Sequence, residues 1–175
     1  CANFQPISAT QAPLFTNQQL SFAVKQDIYS GYKAPLLFAN LLSNTRGDPA
    51  EWHSAMFGMV PKWPKIPILP STLMMPLETV MDKPVLNMLG QQSVCVNSGT
   101  NYLLPKYING KAHRYGIHRE DNEPFTVAAL YEIVKIGEQI IRFMTMLTIN
   151  ADNHPFMSQF HKPEDEKRSI VVIEP

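Results

Sequence analysis

Tyr107-Ile108-Asn109-Gly110-Lys111 is the stretch on which the fold turns. Asn-Gly between strand-forming residues is the signature of a two-residue hairpin, because both central positions of the favoured turn need positive φ. It leads into a candidate strand at residues 113–118. Downstream, residues 125–134 are rich in strand formers, although Ala128-Ala129-Leu130 leaves helix open there. Residues 140–149 alternate well enough for a strand, punctuated by Arg142, Thr145 and Thr148. Residues 169–173 give a last strand candidate, and residues 1–4 an extended opening. Asp152-Asn153-His154-Pro155 reads as a helix start, with a side-chain cap before a first-turn proline, and that helix would run to His161. Residues 16–26 and 82–90 are further helix candidates, the second with Lys83-Pro84 in its first turn and Gly90 past its end. Pro61, Pro64, Pro67, Pro70 and Pro76 forbid a long helix or central strand across residues 57–76 and predict an extended path. Short strands with few helices predict an α+β domain on a curved, mainly antiparallel, barrel-like sheet.

The chain has 175 residues, 45% of them hydrophobic, which suits one domain over residues 1–175 with a real core. Neither repeats nor low-complexity segments divide it. Two cysteines, Cys1 and Cys95, are too few for a disulfide framework and fit a reducing compartment. No apolar run reaches the roughly 18 residues of a membrane span, and no signal segment opens the chain. These features predict a cytoplasmic protein without membrane contact. Bases and acids balance at 15 each, but unevenly along the chain. Between Trp52 and Arg119 there are seven bases and two acids, a net of +5, and the rest carries −5. Both tryptophans, Trp52 and Trp63, lie in the basic part, with His113 and His118. Cations interleaved with aromatics suit a groove that tracks phosphates while stacking bases. An ordinary solvated face fits the charge alone equally well.

Cys1 carries a thiol and an α-amine on adjacent carbons. Their ordinary pKa values, about 8.5 and about 7.7–8.0, leave a useful fraction of both nucleophiles unprotonated near neutrality. Such an aminothiol condenses with an aldehyde to a Schiff base and then closes through sulfur to a thiazolidine. The thiol could instead attack an acyl group, as N-terminal-nucleophile amidohydrolases do. A chain cut at this point, a lipidated cysteine, or simple loss of methionine would leave the same first residue. Among five histidines, His161 is the best acid–base candidate, since it ends a helix-like segment before Lys162-Pro163. His113 and His118 stand an odd number of residues apart on a strand and so face opposite ways, a poor metal pair. His53 and His154 have no visible partner. No Cys-x-x-Cys, His-Glu-x-x-His, P-loop, dinucleotide or Gly-x-Ser-x-Gly motif is present, so neither metal nor cofactor is expected.

In order along the chain come Cys1, Phe57-Gly58-Met59-Val60-Pro61-Lys62-Trp63, Glu78-Thr79-Val80 and Pro105-Lys106-Tyr107. They are followed by Phe125-Thr126-Val127-Ala128-Ala129-Leu130-Tyr131-Glu132, Thr148-Ile149-Asn150-Ala151-Asp152-Asn153 and Phe160-His161-Lys162-Pro163. Ser169-Ile170-Val171-Val172 closes the order. This succession resembles the SOS response-associated peptidase (SRAP) family over nearly the whole chain. The resemblance implies removal of the initiator methionine and capture, by the freed cysteine, of the ring-opened aldehyde of an abasic site in single-stranded DNA. The product is a thiazolidine crosslink that shields the lesion. By that match Cys1 is the nucleophile and His161 the active-site histidine. Trp63 falls at the DNA groove, with Lys62, Lys106 and Arg114 as phosphate-facing cations. Thr148 lies near a pocket position, and Asn3 stands where many members have a phosphate-contacting arginine. The expected partner is abasic single-stranded DNA, bound by a monomer without cofactor.

The departures are specific. The family's Asn-Ala-Arg-x-Glu-Thr reads Met74-Met75-Pro76-Leu77-Glu78-Thr79 here, without the asparagine and arginine. Cys95-Val96-Asn97-Ser98 and then Tyr102-Leu103-Leu104 replace the stretch that ends on the family's glutamate, so Leu104 occupies its place. A leucine can neither shuttle a proton nor stabilise an iminium ion. Either the site is degenerate in a paralogue or that stretch is misread. The alternatives are therefore a noncatalytic single-stranded-DNA-binding paralogue and a self-processing cysteine peptidase. The last strand candidate reaches the terminus without a closing helix, which leaves open whether more chain follows.

Overall fold

A computed structural model describes residues 3–38, 50–58, 74–78 and 94–173. Cys1, Lys62, Trp63, the proline-rich path over residues 59–73 and the helix candidate at residues 82–90 lie outside the described residues. The first strands are β1 (Asn3–Pro6), β2 (Lys33–Phe38), β3 (Glu51–Phe57), β4 (Met74–Pro76) and β5 (Val94–Ile108). After them come β6 (Lys111–Ile117), β7 (Phe125–Ile136), β8 (Gln139–Asn150), β9 (Arg168–Ile170) and β10 (Val172–Ile173). Asn109 and Gly110 have φ of 51° and 75°, and Ile108 pairs with Lys111, so the Asn-Gly hairpin forms as its sequence requires. The neighbouring hairpin turns at Gly137, φ 62°, and the strand assignment for β7 removes the helix alternative at Ala128-Ala129-Leu130.

The ten strands among the described residues make one mixed sheet. β5 pairs with β2, β2 with β3, β3 with β8, β8 with β7, and β7 returns to β5, so the path nearly closes on itself as a barrel. Most pairings are antiparallel, and β3 and β4 run parallel to β8. β5 is long enough to serve two neighbours on its free side. Its first part, Val94 to Gly99, pairs with β7, and its later part, Tyr102 to Ile108, pairs with β6 as a ribbon. The interior is apolar: Phe4, Phe57, Tyr102, Leu104, Met144 and Met146 are all buried. Phe4 and Phe57 meet edge-on at 5.3 Å, and burial of each such ring is worth about 1.5–3 kcal/mol. Among the described residues no helix is long and apolar enough to cross a membrane.

Four local expectations fail, each for a visible reason. Residues 16–26 are extended rather than helical. Leu20, Phe22 and Val24 are half-buried while Ser21, Ala23 and Lys25 are exposed, a period of two that matches an extended chain. Helical structure among the described residues is limited to 3-10 turns such as Ala12–Leu14 and Met157–Gln159. The helix expected from Asp152 is only that second turn, because Asp152 Oδ1 accepts the amide of Lys167 at 2.9 Å instead of capping the local chain. His154 does the local work, its Nδ1 accepting the amides of Phe156 and Met157, both at 3.1 Å. The last strand splits at Val171: its amide donates to the Leu147 carbonyl at 3.1 Å and its carbonyl accepts from Ala128 at 2.9 Å, so β9 lies on β8 and β10 on β7. Trp52, expected beside a groove, is instead buried in a second core with Ile7, Ala12 and Leu37, edge-on to Phe15 at 5.9 Å.

Candidate functional site

The ribbon of β5 and β6 forms one wall of the site. Leu104, Lys106 and Tyr115 share a face by strand alternation and register, and that face meets the turn at residues 156–160. Tyr115 lies edge-on to Phe160 at 6.2 Å, and the Lys106 ammonium donates to Gln159 Oε1 and sits 5.9 Å from the Tyr115 ring centre. The chain then brings His161 alongside β5, in a bridge to Lys106.

His161 is held from two sides by main chain. Its amide donates to the Pro105 carbonyl at 2.8 Å, and its Nε2 lies 3.0 Å from the Arg168 carbonyl. A carbonyl only accepts, so Nε2 carries the proton and Nδ1 keeps the lone pair. The backbone at His161 has φ 66°, a left-handed conformation uncommon outside glycine, which persists because both anchors over-determine it. The ring is half-buried. Burial lowers its pKa from the usual 6.5, outweighing the Arg168 carbonyl, which favours the charged form. The result is a neutral imidazole near pH 7 with a basic nitrogen available for proton transfer.

Behind His161, an ionic network fixes Arg168. Its side chain is 15% exposed and bonds Glu78 Oε2 at 2.8 Å, Glu166 Oε1 at 2.9 Å and the Thr148 carbonyl at 2.8 Å. The hydroxyl of Thr148, itself buried, accepts two longer bonds from the same guanidinium, at 3.2 and 3.3 Å. Glu78 also accepts the Asn150 amide at 2.7 Å. The Arg168 guanidinium, then the Asn150 amide, pull the Glu78 pKa down to about 2. Asn150 closes the loop through its side chain, which donates to Asp152 at 2.9 Å and to Glu166 at 2.8 Å. Arg168 ends the charged run of residues 162–168, yet its charge turns inward. The available signal was a lone arginine at the head of Ser169-Ile170-Val171, one strand away from Glu78.

The sequence candidates divide accordingly. His161, Lys106 and Thr148 come together around β5, β8 and β9. Arg114 is elsewhere: it pairs in register with Pro105, on the opposite face of the ribbon from Lys106, 3.8 Å from Asp27 and beside Tyr29. Asn3 is buried at the start of β1, opposite Leu103. Leu104 is 1% exposed and belongs to the core. Cys1, Lys62 and Trp63 lie outside the described residues.

Residues 5–175 match the family model described as SOS response associated peptidase (SRAP). No curated protein matches the chain. Among solved structures, a Bordetella bronchiseptica protein aligns with TM-score 0.84 at 21% identity, covering 99% of this chain and 84% of its own. A Bacteroides thetaiotaomicron protein gives TM-score 0.73 at 16% identity, covering 99% and 77% respectively. A phage-related protein of Bordetella bronchiseptica gives 0.63 at 13%, covering 97% and 76%. These likenesses establish the fold.

Proposed function

The chain belongs to the SOS response associated peptidase family, and we propose that it binds single-stranded DNA and crosslinks abasic sites through Cys1. The observation that carries this is His161: a neutral imidazole with Nδ1 unprotonated, clamped against Pro105 on the strand that also holds β1. Asn3, two positions after Cys1 in the sequence, pairs with Leu103 on the same strand as Pro105.

The reaction follows from the aminothiol. With the initiator methionine removed, the Cys1 amine adds to the abasic aldehyde, and loss of hydroxide from the carbinolamine, taken off as water, gives a protonated Schiff base. The thiolate then attacks the iminium carbon, and the C–S bond closes the ring. Amine, thiol and aldehyde thus yield thiazolidine and one water. His161 Nδ1 accepts the thiol proton and returns a proton to the departing hydroxyl. Lys106, Lys62 and Trp63 would line the strand's path, with Arg114 and Asn3 further along the β1–β5–β6 wall. Residues 1–175 act as one domain, in a cytoplasmic monomer.

Cys1→Ala is expected to abolish the denaturation-resistant crosslink to abasic single-stranded DNA while retaining much of the noncovalent binding. An undiminished crosslink in that variant overturns the assignment. A second reading, a noncatalytic DNA-binding paralogue, draws on one observation, the apolar core residue Leu104 at the position of the family's glutamate. Time-resolved crosslinking separates the two: the paralogue accumulates no covalent product.

A further inference from the structure

We propose that the turn at residues 29–32 is a second nucleic-acid contact, a two-tyrosine platform on which unpaired bases of the strand leaving the His161 site stack. The inference rests on the single-strand-binding function above.

The platform is preorganised by the backbone. The Tyr32 amide donates to the Tyr29 carbonyl at 2.9 Å, closing a four-residue turn, and Gly31 at its third position has φ 78°. That conformation belongs to a turn that favours glycine there. It brings the first and last residues of the turn side by side, and the rings of Tyr29 and Tyr32 meet edge-on at 5.7 Å. Both flanks are pinned: Gly31 donates to the Phe57 carbonyl at 2.9 Å and Phe57 to that of Tyr32 at 2.8 Å, while buried Ile28 exchanges backbone bonds with Phe4. Yet Tyr29 and Tyr32 are left 42% and 37% exposed. Ordering two large aromatic rings in water without burying them gives the fold little return. It does suit a ligand that will cover them, because little conformational entropy remains to be lost on binding.

The surrounding charge points to the ligand. The Lys25 ammonium is 3.7 Å from the Tyr32 ring centre and the Arg114 guanidinium 5.9 Å from that of Tyr29. Residues 25–33 together with Arg114 hold three cations, Lys25, Lys33 and Arg114, against the single anion Asp27. Aromatic faces for bases and cations for phosphates are the elements of a sequence-tolerant single-strand platform. A protein partner of ordinary surface composition has no comparable need for both. Location supplies continuity with the proposed site: Arg114 pairs with Pro105, the residue whose carbonyl anchors His161. The platform and the histidine thus flank one ribbon, Arg114 on one face and Lys106 on the other. Only a strand long enough to pass around that ribbon reaches both.

The test uses the full chain and fluorescein-labelled oligothymidylates of about 5 and about 20 nucleotides, which bracket ordinary single-strand site sizes. Binding is read by anisotropy for the parent, Tyr29→Leu/Tyr32→Leu and Tyr29→Phe/Tyr32→Phe, with circular dichroism checking each fold. Loss of one stacked base costs about fivefold or more in affinity. The leucine pair is therefore expected to weaken the long oligomer at least fivefold and leave the short one unchanged, and the phenylalanine pair to restore the parent value. Parent-like binding of the long oligomer by the leucine pair overturns the platform, leaves the His161 site standing and redirects the patch to a protein partner. Equal weakening of both oligomers also overturns it as a separate contact. Failure of the parent to bind either oligomer overturns the DNA-binding function itself.

Discussion

Leu104→Glu would place a carboxylate on β5, and the structure forecasts a cost in stability. Leu104 is 1% exposed and clusters with Phe4, Tyr102 and Met144. Losing its burial forfeits about 1.5–3 kcal/mol. Keeping a carboxylate ionised in that apolar setting at neutral pH adds about 3 kcal/mol. The variant should therefore lose about 4–6 kcal/mol near pH 7, a large share of the roughly 5–15 kcal/mol that holds most domains together. At about 2–4 °C per kcal/mol for a chain of this size, Tm falls by about 8–24 °C. The pH dependence has a definite sign. Burial raises the carboxyl's folded pKa above its unfolded value, so the electrostatic penalty is absent well below that unfolded value and grows as pH rises through it. Thermal melts near pH 4 and near pH 7 should then show a deficit that shrinks toward the burial part in acid. Leu104→Gln, which cannot titrate, should show the same deficit at both. A Leu104→Glu protein as stable as the parent at neutral pH, or with a pH-independent deficit, would refute the placement of this residue in the core.

Two further outcomes follow from the network around His161. Because burial holds the His161 pKa below 6.5, the crosslinking rate at saturating DNA should hold its plateau as pH falls through 6.5 and drop only below it. An acid limb centred above 6.5 would contradict the neutral, half-buried ring. The same depressed pKa means that the histidine's contribution to folding is complete above 6.5 and lost as pH falls from there toward the folded value. Glu78→Gln should keep the Asn150 amide bond and lose the ion pair with Arg168. Since the Glu78 carboxyl titrates near 2 when folded against an ordinary 4.5, its contribution is present above 4.5 and lost as acid carries it toward 2. Parent and variant melts should therefore differ near neutrality and converge in strong acid. Parallel curves across that window would show that the ion pair adds nothing.

Local chemistry made part of this molecule legible. The Asn109-Gly110 turn and the alternating run at residues 140–149 specify strands by backbone conformation and period, neither of which needs a distant partner. The elements that depart from their local signals are those whose hydrogen bonds leave the neighbourhood. Asp152 and Pro155 make a plausible helix start, but Asp152 is claimed by Lys167, and no local pattern announces that competition. Residues 16–26 depart for the opposite reason: Leu20, Phe22 and Val24 state a period of two in a short polar run whose composition also suits a helix. In the site, His161 was visible because its residue type narrows the chemistry. Arg168 was hidden because a cation in a charged run looks solvated until Glu78 and Thr148 are brought beside it.

Both contacts that fix His161 are made to carbonyl groups, of Pro105 and of Arg168. Every residue type supplies a carbonyl, so this clamp does not depend on which side chains occupy those two positions, provided the strands keep their course. The surrounding pocket is thereby free to change its chemistry while the histidine stays in register. Leu104, apolar and buried beside Pro105 on β5, is compatible with that freedom, because the mounting of His161 is not made of side chains. A scaffold of this kind can shed a reaction, or acquire one, by substitution at the rim alone.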